Sequence, residues 1–158
     1  MDTREQVFDQ LRGKLEAAVS SEAKAKGIAE AIRDSGSYRW AGISEINGEG
    51  IAAIAWTGAD PPAFPRFPMT QGLCGDAVRA RPTDVAGDVA KDPRYLTTFG
   101  TTQSEIVVPI FSSGSQTALG LIDVESERLN AFETPTGRSS RIALCSPPAF
   151  GSSQLWPS

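Results

Sequence analysis

Asn47-Gly48 falls between two runs with the make-up of strands, residues 38–46 and 51–57. An Asn-Gly pair flanked by apolar, β-forming segments is among the strongest short-range signals of a hairpin. It commits the chain to an antiparallel pair early and rules out a wholly parallel sheet. A second pair of strand-like runs, 104–111 and 118–125, is joined by Ser112-Ser113-Gly114-Ser115. Ahead of the first hairpin, Val7, Leu11, Leu15, Ala18 and Val19 recur at helical spacing. Ser20-Ser21-Glu22 offers a fresh N-cap, and Ala25, Ile28, Ala29 and Ile32 extend a second apolar stripe to Asp34. Ser35-Gly36-Ser37 is expected to end that helix. The order of helices, hairpin, long crossover and hairpin predicts an α+β fold around an antiparallel sheet.

The crossover opens with Pro61, Pro62, Pro65 and Pro68 interleaved with Phe64 and Phe67. Proline cannot donate to a ladder, so residues 58–69 read as an ordered loop or lid. A short helix is expected over 72–80, extended chain over 82–89 and a turn at 91–94. Past Glu133 the only charges are Arg138 and Arg141, and Pro147-Pro148 interrupts any helix there. Residues 1–133 are therefore read as one domain, with helices over 3–34, and 134–158 as a partly irregular tail.

Composition narrows the chemistry. The 158 residues contain no histidine, which removes Ser-His-Asp and Cys-His pairs and the commonest neutral metal ligand. Cys74 and Cys145 form no closely spaced redox pair. A bridge between them would be unusual in a reducing compartment. The formal net charge of −4, without a dense basic run, argues against a nucleic-acid partner. No apolar run reaches the roughly 18 residues of a membrane span, and the first residues lack the apolar stretch of a secretory signal. A cytoplasmic protein without membrane association is expected.

Three acids carry the best chemical signal. Asp123 and Glu125 are two apart, so they leave the same face of one strand, and Glu105 begins the preceding strand of that hairpin. Carboxylates gathered this way repel, which raises a pKa or recruits a cation. Such a group can act as general acid or base, or hold an ammonium group or a hard cation such as Mg²⁺ or Ca²⁺. The competing reading is a solvated strand face near a sheet edge. Cys74, in Gly72-Leu73-Cys74-Gly75, stands at a helix start that would favour a thiolate, although small buried cysteines are commoner. Trp40 belongs to the core or forms an aromatic wall beside the acids.

Arg39-Trp40-Ala41-Gly42-Ile43, Gly72-Leu73-Cys74-Gly75-Asp76-Ala77-Val78, Ser104-Glu105-Ile106-Val107-Val108-Pro109 and Gly120-Leu121-Ile122-Asp123-Val124-Glu125-Ser126 together resemble a GAF domain. More narrowly, they resemble the free methionine-(R)-sulfoxide reductase family, over roughly residues 5 to 133. The resemblance implies a six-stranded antiparallel sheet flanked by helices, a small buried pocket and a homodimer through the helical face. It implies that Glu105, Asp123 and Glu125 bind a free amino-acid sulfoxide and that Trp40 receives its methyl group. It also aligns the family's attacking cysteine with Thr98, its partner cysteine with Phe64, the third cysteine with Cys74 and a second pocket aromatic with Ser44. A threonine cannot form the sulfenic acid that sulfoxide reduction requires. The expected function is a pocket for an amino-acid-like ligand in a repurposed enzyme, with the three acids transferring protons and no cofactor or resident metal. The alternatives are a non-catalytic ligand sensor and a residual reductase working through Cys74.

Overall fold

The computed structural model describes residues 4–80, 83–97, 99–112 and 117–132. Helices α1 (Arg4–Val19) and α2 (Glu22–Gly36) meet at the Ser20-Ser21 break, where the Ser21 hydroxyl accepts from the Lys24 amide at 3.4 Å. The second helix runs two residues beyond the Asp34 limit read from the sequence. Ser37 closes it in the left-handed region, with φ 50°, and its N–H bonds the Arg33 carbonyl. That cap satisfies an orphan carbonyl of the last turn, so Ser35 and Gly36 remain helical.

Strands β1 (Trp40–Asn47) and β2 (Gly50–Thr57) form the expected hairpin. Its loop is Gly48-Glu49 rather than Asn47-Gly48, because Asn47 pairs with Gly50. Gly48 takes φ 63° while Glu49 does not adopt a positive φ, the signs of a type II′ turn with glycine first. The proline-rich crossover is not all loop. Residues Arg66–Pro68 form β3 against β2, with Phe67 opposite Ile51. Prolines are tolerated because β3 is an edge strand. The flanking bonds avoid proline nitrogen: Ala53 donates to the Pro65 carbonyl at 2.9 Å, and the Met69 amide donates to Glu49 at 2.8 Å.

Helix α3 (Gly72–Ala80) follows, then β4 (Asp84–Ala86) and a 3₁₀ turn at Val89–Lys91. That turn takes Val89, the last residue of the extended run read over 82–89, and the Asp88 carboxylate caps it by accepting from the Ala90 amide. The last two strands are β5 (Ser104–Phe111) and β6 (Ala118–Ser126). The six strands lie in the order β3-β2-β1-β6-β5-β4, and every pairing is antiparallel. The first hairpin therefore sits beside the last strand.

Two apolar layers cover the two faces. Helices α1 and α2 lay Ala18, Ala25, Ala29 and Ile32 against Ile43, Ile106, Ile122 and Val124. On the other face, Leu73, Cys74 and Ala77 of α3 pack with Ile51, Val107 and Leu121. Among the described residues no helix is long and apolar enough to cross a membrane. Cys145 and the sequence from Glu133 onward lie outside the described residues.

Candidate functional site

Strand register builds the site. Trp40 on β1 lies opposite Glu125 on β6, and Glu125 lies opposite Glu105 on β5, so the three form one row across the sheet. One pleat along, Gly42 lies opposite Asp123 and Asp123 opposite Val107. Successive side chains alternate in a strand, so Trp40, Ser44, Glu105, Asp123 and Glu125 all emerge on the face that α3 covers. The helix sets Leu73 and Cys74 above them.

These residues line one cavity of about 40 Å³, closed by Pro62 and Phe64 from the crossover, Phe67 from β3, and Leu96 and Phe99. Glu125 is fully buried, and Glu105 is 5% and Cys74 7% exposed. The reading of the acids as a solvated strand face is thereby corrected. They sit on inner strands under a helix, where directly opposed like charges are costly.

Protonation answers part of that cost. Burial, first, and then the charges of Asp123 and Glu125 push the Glu105 carboxyl well above the usual range. Asp123 is raised for the same reasons, burial and then Glu125, offset by the hydrogen bond it receives from Glu105. Asp123 Oδ1 is buried with no hydrogen-bond partner. Glu125 accepts from the Thr102 hydroxyl at 2.5 Å.

Cys74 does not behave as its place at the start of α3 suggested. Burial and then the charges of Asp123, Glu105 and Glu125 push the thiol well upward. The helix terminus favours a thiolate, but burial, and after it the acids nearby, outweigh it. The commoner reading, a buried thiol, is the one the fold produces.

Trp40 is both core and wall. It is 5% exposed, its ring meets Phe99 at 5.9 Å between centroids, and its Nε1–H donates to the Asp60 carbonyl at 3.2 Å. Two glycines make room for it: a Cβ at Gly42 or at Gly58 would run into the indole. The Arg39 guanidinium stacks on the other partner, 4.6 Å from the Phe99 ring centre. Phe64, 44% exposed, stands at the mouth. Thr98 lies outside the described residues.

Several members escaped the sequence. Thr102 sits in a loop with no periodicity to mark it, and Leu96 and Phe99 follow a turn. Their loop is tied down by Arg94, which bonds Asp84 and Asp92 at 2.6 Å each and Asp76 of α3 at 3.2 Å. Three aspartates scattered over 76–92 were the available signal, and only folding shows that they share one guanidinium.

Comparison with known proteins places this architecture. GAF domain-containing protein A of Dictyostelium discoideum is 27% identical over 82% of this chain and 80% of its own length. A solved GAF domain overlays with a TM-score of 0.64 at 25% identity, covering 82% of this chain and 78% of that one. The fold is that of a GAF domain. Within that fold, the type II free methionine-R-sulfoxide reductase of Thermoplasma acidophilum matches with a TM-score of 0.67 and 27% identity, over 76% of this chain and 82% of the other. The Saccharomyces cerevisiae free methionine-R-sulfoxide reductase is 40% identical over 63 residues, which are 40% of this chain and 34% of the yeast protein. This GAF domain is thus related to the free methionine-R-sulfoxide reductases. No family model matches the chain.

Proposed function

We propose that this GAF domain binds a free amino-acid-like molecule, its ammonium group among Glu105, Asp123 and Glu125 and its apolar end against Trp40 and Phe99. The observation that carries the reading is Asp123 Oδ1, buried and unpartnered where three carboxyl groups converge. A buried acceptor without a donor costs about 1–3 kcal/mol, more when charged, and an ammonium group supplies the missing donors together with the missing positive charge. The solved reductase relative from Neisseria meningitidis, in complex with its substrate, is 25% identical over 91% of this chain, which supports the same ligand class.

The pocket also supports proton transfer. Burial and mutual repulsion raise both Glu105 and Asp123, which favours a proton held between the two carboxyls and available for transfer. Sulfoxide reduction through Cys74 fits less well, because its thiol is held protonated by burial and by the acids.

Thermal unfolding with free L-methionine-(R)-sulfoxide, its S epimer and L-methionine tests the reading. Selective stabilisation by one of these is expected, worth about 2.7 kcal/mol at a hundred times the dissociation constant, and lost in Asp123→Asn. No shift with any free amino acid would overturn it. Stabilisation with no consumption of ligand would assign the domain to sensing rather than to catalysis.

A further inference from the structure

The same cavity holds a sulfur ligand beside its oxygens. Cys74 of α3, Glu105 of β5 and Asp123 of β6 each present one ligand atom, and the three atoms lie within 4.8 Å of one another. Bond lengths to zinc of about 2.0–2.3 Å put the ligand atoms of a tetrahedral ion about 3.3–3.8 Å apart, so closing the group takes a movement of about 1 Å. Side-chain rotation supplies that.

We propose that Cys74, Glu105 and Asp123 form a binding site for a thiophilic divalent cation of the zinc class. Four features of the pocket argue for it. The buried Asp123 Oδ1 has no partner and is free to coordinate. One ligand of three is sulfur, whose thiol proton is released to solvent as the cation binds, and it selects zinc, cobalt or their neighbours over Mg²⁺ and Ca²⁺, ions that take oxygen. The nearby Asp84 does not compete, because Arg94 binds it at 2.6 Å. Glu125, oriented by the Thr102 hydroxyl, stands directly opposite Glu105 in the sheet and adds negative charge around the ion. With three protein ligands, a tetrahedral ion keeps one open position for an outside ligand from the cavity that Trp40 and Phe99 help to line, as zinc sites that receive an outside ligand do.

The site shares Glu105 and Asp123 with the proposed amino-acid pocket, so ion and ammonium group are alternative occupants, and separate measurements tell them apart. Cobalt titrated into the reduced full chain should give thiolate-to-cobalt charge-transfer absorption saturating at one ion per chain, reversed by Zn²⁺ but not by Mg²⁺. The band should persist in Cys145→Ser and vanish in Cys74→Ser, with apparent affinity falling at least tenfold in Asp123→Asn. Unfolding curves of each variant show that the fold is retained. Absence of the band, its persistence in Cys74→Ser, or its loss in Cys145→Ser would overturn the proposal. Amino-acid stabilisation measured in EDTA reports on the pocket's other reading whatever the cobalt result.

Discussion

Thr102 shows how a single hydroxyl holds a buried charge in place. Its Oγ1 donates to Glu125 Oε2 at 2.5 Å, on a carboxylate that is fully buried. Thr102→Val keeps the shape and removes the donor, so it is expected to cost about 1–3 kcal/mol. Denaturant unfolding should show a lower midpoint with an unchanged slope, and Thr102→Ser should restore most of it. An unchanged midpoint in the valine variant would mean that this bond contributes nothing. At this scale the sequence was legible where strand alternation applies: Asp123 and Glu125 share a face because the period is two. For Cys74 the commoner reading of a buried thiol holds and the helix-terminus argument does not, because burial, and then acids on β5 and β6 far away in sequence, raise the thiol.

Among the elements, β1 supplies Trp40 and Ser44 to the cavity wall. Trp40, Gly42 and Ser44 project from one face, and the absence of a side chain at Gly42 is what lets the indole lie over the strand. Gly42→Ala forces the ring off its seat, so a loss of about 1–3 kcal/mol is expected from overpacking. Ligand affinity should drop with it, since the displaced ring is the cavity wall. Tryptophan fluorescence and thermal unfolding read the two effects, and a variant with wild-type spectrum and stability would refute the seating argument. The helices, both hairpins and α3 were readable from periodicity and turn chemistry. The strand β3 was not, because four prolines hide a three-residue edge pairing whose partners, Gly50 to Ala52, lie across the crossover.

For the molecule as a whole, the acid cluster sets how stability responds to pH. Free glutamate and aspartate titrate near about 4.3 and 3.9, and the folded chain holds Glu105 and Asp123 above those values. Between the unfolded and folded values the native state binds more protons, so stability falls as pH rises through that interval. Asp92 acts oppositely: the hydrogen bond from Arg94 lowers its pKa, and its contribution is lost as pH falls below about 4. Without ligand, the unfolding temperature should decline as pH rises above the free carboxyl range of about 4, and Glu105→Gln, which keeps a donor without a titrating proton, should flatten the decline. A variant with the same slope as the parent would show that another group governs it.

By itself the sequence determined the local elements: where the helices start, that two hairpins form, and that two acids leave one strand on the same side. Each follows from backbone geometry and from side-chain spacing within a few residues. The tertiary structure decided what those acids are. Placing β1 beside β6 sets Trp40 opposite Glu125 and Glu125 opposite Glu105, and packing α3 over that row shuts it away from water. Only then do the carboxyls compete for protons, raise the Cys74 thiol and leave Asp123 Oδ1 without a donor, because desolvation and mutual repulsion depend on neighbours that no local stretch of chain can name.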